Sequence, residues 1–516
     1  MPFENENTFL KYRSTGREEE FHTRYEKALQ ECEKYFGKEY PNIVVQDVTE
    51  EKKIIDISPI NGKEILKMQN ASVATLNRAL DILKDSYRKW YDLGYLARSR
   101  IFLKAADIMS ERKFDLAALL AWENGKNRFE AMGDVDEAID FLRYYAINLI
   151  ENQGFVRFTG KAYPNEESIS VMKPYGVFAV IAPFNFFSIT VGMTAGPLLV
   201  GNSVVLKPSS DIPLASYLFV RLLHEAGVPK ENLAFLSGSG SQIGDPIVMD
   251  RRISGILFTG SRSTGIRIFQ NANRDSPKVV ITEMGGKDAI IVSDKANLQK
   301  AIEGVYRSAF GYSGQKCSAC SIVYVQSGIY DSFVKGLIER TKKEEPKDPR
   351  KRDAFSTPVV NKEAFLKFKE ISSKLPAEGK VLAGAKTLDT EGYYCYPTIV
   401  ADLKENSFVL KDELFLPVLA VRKVASVKEA VDEINRSDYG LTGGIFTEDQ
   451  GEIDFYFSHV DVGVIYANRS VGGSTGAMVG SQPFVGWKMS GVSGKGTGSF
   501  YYLQQFLREQ SQTVVH

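Results

Sequence analysis

At 516 residues, with 43% hydrophobic and 25% charged residues, the chain has a globular profile and is too long for one core, so two or three domains are expected. Lys plus Arg and Asp plus Glu are equal at 64 each, and this neutral balance gives no electrostatic case for nucleic acid or an anionic membrane as partner. The four cysteines, Cys32, Cys317, Cys320 and Cys395, are too few for a disulfide framework and suggest a reducing, cytoplasmic setting.

The polar, acidic start MPFENENTFLKYRSTGREEE lacks the apolar run of a signal peptide. Residues 1–45 read as a charged helical arm, with Cys32 a small packing residue. A helical tract spans about 74 to 149; in AIDFLRYYAINLI the apolar residues recur at helical spacing. No charge occurs from Pro174 to Leu206, a length that could cross a bilayer. Pro183, Asn185, Gly192, Gly196, Pro197, Gly201 and Asn202 punctuate it, so a buried strand, loop, helix and second strand are expected instead.

Beyond that point VFAVIA, SVVLKPS, NLAFLSG, GILFTGS and KVVITE read as strands. Helices lie between them in TVGMTAGPLLVG, PLASYLFVRLLHEAG, QIGDPIVM and from about 263, Pro213 suiting a first helical turn and Gly227 a helix end. Such alternation implies an α/β fold with a parallel sheet covered on both faces and ligands at the carboxyl ends of the strands. A second α/β series starts near 285, interrupted by TKKEEPKDPRKRD, which reads as a solvated loop. A Gly- and Ser-rich stretch from about 463 precedes GSFYYLQQFL, an aromatic tail of the kind that pairs with another subunit.

Cys317 and Cys320 in GYSGQKCSACS admit three readings. A structural zinc needs four Cys or His ligands in close pairs; His22, His224, His459 and His516 form none, and no metal is expected. A redox pair would open a helix in a small thioredoxin-like unit, unlike this context. The third reading is one nucleophile, with Lys316, Gln315 and backbone N–H groups favouring its thiolate.

Several motifs in order resemble those of the aldehyde dehydrogenase family, from about residue 50 to the C-terminus. APFNFF resembles the segment with the oxyanion asparagine, here Asn185; KPSS the turn at the cofactor ribose, with Lys207 and Ser210; FTGSRSTG the pyrophosphate turn, with Gly260 and Ser261. EMGGK resembles the segment of the general base, here Glu283, with Gly285 beside it; GQKCSACS carries the nucleophile, Cys317, 34 residues on; DELFLPV holds Glu413, for the nicotinamide ribose, and Phe415; PFVGWKMSG closes the set. Gly240 and Gly244 complete the cofactor residues that the resemblance implies. It also implies a Rossmann-type NAD(P)-binding domain (46–154 and 173–283), a catalytic domain (284–480) and oligomerisation elements (155–172 and 481–516) that build a homo-oligomer on dimers. Cys320 becomes a packed bystander.

Within the family, QKCSACS, DVDEAIDFLRYYA and STGAMVGSQPF resemble the 1-pyrroline-5-carboxylate dehydrogenase branch, which oxidises L-glutamate γ-semialdehyde in proline catabolism. By this resemblance Ser318, Gly476 and Ala477 receive the substrate's α-carboxylate, Lys316 adds positive charge, and Phe186 and Phe484 flank the aliphatic chain. Succinic or aminoadipic semialdehyde is the alternative substrate; a non-catalytic NAD(P)-binding protein is the alternative class. Ser210 stands where many NAD-preferring members have a glutamate, so both cofactors are expected, NADP⁺ included. Phe187, Leu416 and Val485 are bulkier than, or differ from, the common residues at their positions.

Overall fold

The computed structural model describes residues 3–470 and 478–516. Two seven-stranded sheets organise the chain. The first runs in the order Val279–Glu283, Ile253–Thr259, Val177–Ile181, Ser203–Lys207, Leu233–Phe235, Asn42–Val44, Gln46–Val48. Its first five strands are parallel, and the order reverses between Val177–Ile181 and Ile253–Thr259. Alternate residues of one strand feed opposite cores, because side chains on a strand alternate faces. Phe178 and Val180 enter one cluster; Val177 and Ala179 enter the other. A sheet covered on both faces explains why these strands read as continuous apolar runs.

The uncharged stretch resolves into the strand Val177–Ile181, the helix Phe187–Leu199 and the strand Ser203–Lys207. No helix of the described residues is long and apolar enough to cross a membrane. The second sheet runs Lys380–Ala383, Thr398–Ala401, Val418–Val424, Ile322–Gln326, Ala289–Val292, Thr442–Phe446, Val464–Ala467, parallel except at its first strand. Only residues 284–288 separate the end of the first sheet from the start of the second.

Three features differ from the sequence reading. Two strands, Lys53–Ile57 and Glu64–Gln69, join Glu39–Tyr40 in a small sheet that the reading passed over. The aromatic tail is not itself a strand: Tyr502–Phe506 forms a 3-10 turn whose Tyr502 and Phe506 are buried. Phe506 lies so close to Gly196 that a Cβ there would sit 2.6 Å from its ring. The strand that follows, Leu507–Val515, pairs along its length with Glu166–Pro174 of the same chain and forms one edge of that three-stranded sheet. In the run at 341–353, Thr341 and Lys342 end the helix Tyr330–Lys342 and the rest is a loop, but not merely a solvated one. Arg352 binds Glu19 at 2.9 Å and Glu26 at 2.7 Å on the arm helix Glu18–Glu31, and Arg350 lies over Trp122.

Candidate active site

The first sheet delivers its polar residues where its strands end. Asn185 follows Val177–Ile181, Lys207 ends Ser203–Lys207, Gly260 and Ser261 follow Ile253–Thr259, and Glu283 ends Val279–Glu283. All four positions lie on the carboxyl edge beside the order reversal, the place where open α/β sheets bind ligands. Cys317 reaches this edge from the other side, in the loop before Ile322–Gln326.

The backbone before Cys317 is strained. Tyr312, Ser313 and Gly314 take φ values of 52°, 53° and 70°, left-handed in succession. Each non-glycine residue there costs about 1–3 kcal/mol, so surrounding structure must hold it. Tyr312 Oη donates to Asn124 O at 2.9 Å, and Ser313 Oγ donates to Thr357 O. Gln315 is pinned as well: its Oε1 accepts Val360 N at 2.8 Å. After Cys317, Ser321 N and Ile322 N both donate to Asp288 O. The nucleophile loop is thus locked at both ends.

Asn185 is buried, and its Nδ2 donates to Gln315 O at 3.2 Å. One amide hydrogen serves that contact; a carboxamide has a second to give. Glu283 Oε1 accepts Gly486 N at 3.4 Å, while Oε2 is buried with no partner among the described residues. Burial raises the Glu283 carboxyl to about 8, with the Gly486 N–H acting weakly against the shift.

The Cys317 thiol is not activated by Lys316, which corrects the expectation from the sequence. Lys316 Nζ pairs with Glu130 Oε1 at 2.8 Å. Burial pushes the thiol well above its ordinary range, and the negative fields of Asp288, Glu413 and Glu283 add to it. Cys320 Sγ turns away to Ile322 O at 3.2 Å and packs in the core of the second sheet. Cys32 and Cys395 lie in two other cores.

Glu413 Oε1 accepts Gly286 N at 3.1 Å. Gly285, at φ 57°, makes the approach possible: a Cβ there would stand 2.1 Å from Glu413 Oε2. Burial raises the Glu413 carboxyl to about 7. Beside it Phe415 meets Phe184 edge-on at 5.7 Å. Lys207 Nζ donates to Pro208 O at 3.2 Å, and burial lowers it to about 8. Ser261 caps the helix Arg262–Ala272, accepting Thr264 N, so free helical N–H groups stand next to Gly260. Gly240 and Gly244 bound a single turn, and a Cβ on either would meet nothing within 4 Å. Ser210 is exposed, and the carboxylate next to it, Asp211, is engaged by Asn361 Nδ2 at 3.0 Å.

Phe186 and Phe484 are half-buried; Phe484 pairs its backbone with Thr497. Ser318 is buried beside Cys317, and its carbonyl accepts Thr442 Oγ1 at 3.4 Å. Gly476 and Ala477 fall outside the described residues. Phe187 is buried against Phe219, and its N–H donates to Asp134. Leu416 is buried and Val485 half-buried.

Sequence reasoning missed the helix Arg128–Glu151 as a source of site residues. Its Asp134 accepts Lys126 Nζ at 2.6 Å, Phe187 N at 2.9 Å and Ser188 N at 2.8 Å, all buried. Lys126 in turn lies 3.9 Å over the Phe186 ring. Glu137 accepts Ser188 Oγ at 2.7 Å. Burial alone would raise Glu130, but Lys316 outweighs it and holds the carboxyl below its ordinary value. The signal was present: Glu130, Asp134 and Glu137 recur at i, i+4 and i+7, one face of a helix.

The sequence profile of the aldehyde dehydrogenase family matches residues 45–512. A 1-pyrroline-5-carboxylate dehydrogenase of Geobacillus sp. (strain WCH70) is 37% identical over 498 residues, covering 95% of each chain. Its counterpart from Oceanobacillus iheyensis is 36% identical over 497 residues, again covering 95% of each. Among solved structures, 1-pyrroline-5-carboxylate dehydrogenase from Thermus with bound NAD superposes with a TM-score of 0.94 at 34% identity, over 100% of this chain and 99% of that one. Betaine aldehyde dehydrogenase from Staphylococcus aureus, in complex with NAD⁺, gives 0.88 at 26% identity, over 94% and 95%.

Proposed function

The chain belongs to the aldehyde dehydrogenase family, and from that premise we propose that it oxidises L-glutamate γ-semialdehyde, in equilibrium with 1-pyrroline-5-carboxylate, to L-glutamate in proline catabolism, with NAD(P)⁺ as acceptor. One arrangement carries the reading: the Asn185 amide set against the Cys317 loop, and a Glu283 carboxyl near enough to act on the Cys317 thiol, with one buried oxygen unpartnered among the described residues.

Cys317 sulfur bonds to the aldehyde carbon, whose C=O π pair moves to oxygen, as the thiol proton passes to solvent. The second Asn185 amide hydrogen and the Cys317 N–H stabilise the resulting oxyanion. Loss of hydride from that carbon leaves a thioester. Glu283 then takes a proton from water as the water attacks the thioester, and the acid and free thiol are released.

The residues fit a dinucleotide. Gly260, Ser261 and the helix N-terminus suit its pyrophosphate. Lys207 and Glu413 suit ribose hydroxyls, with Gly285 giving Glu413 room and Phe415, Gly240 and Gly244 bordering the groove. When bound, the oxidised nicotinamide supplies the hydride acceptor. Ser210 brings no carboxylate to repel a 2′-phosphate, and Asp211 is committed to Asn361, which supports use of both NAD⁺ and NADP⁺.

Ser318 with Gly476 and Ala477 is assigned the substrate's α-carboxylate, and Phe186 and Phe484 its methylene chain. Glu130, anionic and paired to Lys316, suits the α-ammonium, which succinic semialdehyde lacks. The sheet of Val156–Phe158, Glu166–Pro174 and Leu507–Val515 leaves Phe158 86% exposed and Val515 63% exposed, and is assigned to a homo-oligomer built on dimers.

The test is NAD(P)H formation at 340 nm with glutamate, succinic and aminoadipic semialdehydes side by side under each cofactor. Preference for the glutamate compound is expected. Turnover confined to another aldehyde would discard the substrate assignment and keep the dehydrogenase chemistry. An NADP⁺ affinity more than about a hundredfold below that for NAD⁺, a gap of about 2.7 kcal/mol, would remove the dual-cofactor reading.

A further inference from the structure

The helix Phe187–Leu199 starts two residues after Asn185 and has no cap of its own. Its N-cap position is Phe186, whose side chain accepts no hydrogen bond, and the first N–H groups of a helix have no intrahelical partner. The cap comes from another helix. Asp134 Oδ2 accepts Phe187 N at 2.9 Å, and its Oδ1 accepts Ser188 N at 2.8 Å. No other side chain takes these two N–H groups among the described residues. Glu137, three residues on, takes the Ser188 hydroxyl instead.

Asp134 is fully buried, and Lys126, equally buried, neutralises it at 2.6 Å. A buried charge without a partner is costly. The pairing also suits the chemistry. An unpaired carboxylate capping the helix that follows Asn185 would oppose the negative charge that develops on the aldehyde oxygen; with Lys126 against it, the cap is neutral in sum. Lys126 lies over the Phe186 ring at 3.9 Å and over the Tyr312 ring at 5.1 Å. On the other side of Asn185, Asn124 Nδ2 donates to Phe184 O at 3.2 Å. The backbone at Asn185 is therefore held between Phe184 O and the paired N–H groups of Phe187 and Ser188. Neighbouring acids of the helix Arg128–Glu151 serve elsewhere: Asp136 accepts Thr8 N and Oγ1, and Asp140 accepts Glu6 N, both on the arm.

We propose that Asp134, neutralised by Lys126, is a positioning residue for the oxyanion donor: its two-oxygen grip on the start of Phe187–Leu199 fixes the backbone at 185–186 and so directs the second Asn185 amide hydrogen at the aldehyde oxygen. The proposal rests on the assignment of Asn185 as that donor. No hydrogen bond joins Asp134 to Cys317 or Glu283, so Asp134 acts through Asn185. Such positioning is exacting, because a misplacement of about 1 Å costs about 10²-fold in rate.

The experiment is a double-mutant cycle of Asp134→Asn and Asn185→Ala. Asn keeps one acceptor where two N–H groups need one each. Single turnovers, with enzyme in excess of whichever semialdehyde wild type oxidises fastest and with saturating NAD⁺, read NADH formation before deacylation. Asn185→Ala is expected to slow it about 10²–10³-fold, the scale of one oxyanion donor. Asp134→Asn is expected to slow it about ten- to a hundredfold with Asn185 present, and less than about threefold once Asn185 is gone. General loosening of the fold would slow both backgrounds alike; that result would overturn the proposal. Because Asp134→Asn also weakens the fold, the double variant Lys126→Met, Asp134→Leu is measured beside it, with its urea midpoint. Turnover that stays slow at a recovered midpoint is expected; rate and midpoint recovered together would overturn the positioning role. If Asn185→Ala itself leaves the single-turnover rate unchanged, the oxyanion assignment fails, and the proposal with it. A slow Asn185→Ala beside an Asp134→Asn that matches wild type sinks the positioning role alone.

Discussion

The raised Glu283 carboxyl makes thioester hydrolysis the pH-sensitive step. With its value near 8, about one carboxyl in eleven is ionised at pH 7 and about one in a hundred at pH 6. Only the ionised form can take a proton from water. Deacylation is therefore expected to rise about tenfold per pH unit up to about pH 7.5 and to level off above about pH 8.5. Glu283→Gln is nearly isosteric, keeps an oxygen for the Gly486 N–H and removes the base. General bases contribute about 10²–10⁴-fold, so steady turnover is expected to fall by that factor while the first turnover survives. Rapid mixing of the variant with NAD⁺ and semialdehyde separates the two: one equivalent of NADH per active site forms in a burst, then almost nothing. Because the variant isolates acylation, the pH dependence of its burst reports the Cys317 thiol alone. A wild-type deacylation rate flat between pH 6 and 8, or a variant that turns over without a burst, would refute the assignment of Glu283 as base.

Three further outcomes follow from particular contacts. Asp134→Asn leaves Lys126 buried without its carboxylate and costs about 3–5 kcal/mol; the urea midpoint should fall clearly, and the double variant Lys126→Met, Asp134→Leu should recover part of it, whereas an unmoved midpoint contradicts the buried pair. Gly285→Ala drives a methyl into Glu413 and strains a left-handed backbone, so KM for the nicotinamide cofactor should rise about tenfold or more with semialdehyde KM little changed; unchanged cofactor affinity would detach Glu413 from the ribose. Cys320→Ser should keep activity within about twofold and Cys317→Ser should abolish it, since a thiol packed in the core and turned to Ile322 O has no chemical part; loss in the Cys320 variant with normal stability would revive the redox pair.

Where one physical signal dominated, the sequence was legible. The strands of the first sheet are short apolar runs ended by polar residues, and those ends became Lys207, Gly260 and Glu283 at one edge. Two kinds of feature were not. Lys53–Ile57 and Glu64–Gln69 mix charge into alternation, and the first of them, a largely exposed edge strand, looks like a loop when read alone. The acidic face of Arg128–Glu151 looked like ordinary helix surface, because sequence spacing says which residues share a face but not what the face meets. What it meets, Lys126, Ser188, Lys316 and the arm, comes from positions up to 186 residues away. Lys316 shows the consequence: beside Cys317 in sequence it promised an activating charge, and Glu130 claims that charge in space.

That loss of an activating cation fits the rest of the site. Cys317 is surrounded by Asp288, Glu413 and Glu283, and burial penalises the charged form of each of these groups as well as of the thiol. Thiol and carboxyls share one low-dielectric space in which each new negative charge raises the cost of the next. A thiolate formed there would be opposed by whichever of these carboxyls is ionised. The resting thiol is therefore kept protonated and poorly reactive towards stray electrophiles. Ionisation becomes affordable only when a positively charged or strongly hydrogen-bonding ligand enters the groove, so reactivity of Cys317 towards an alkylating reagent such as iodoacetamide should increase when NAD⁺ is present and its pH midpoint should move down. A thiol that alkylates equally fast with and without NAD⁺ would mean that the surrounding carboxylates do not govern it.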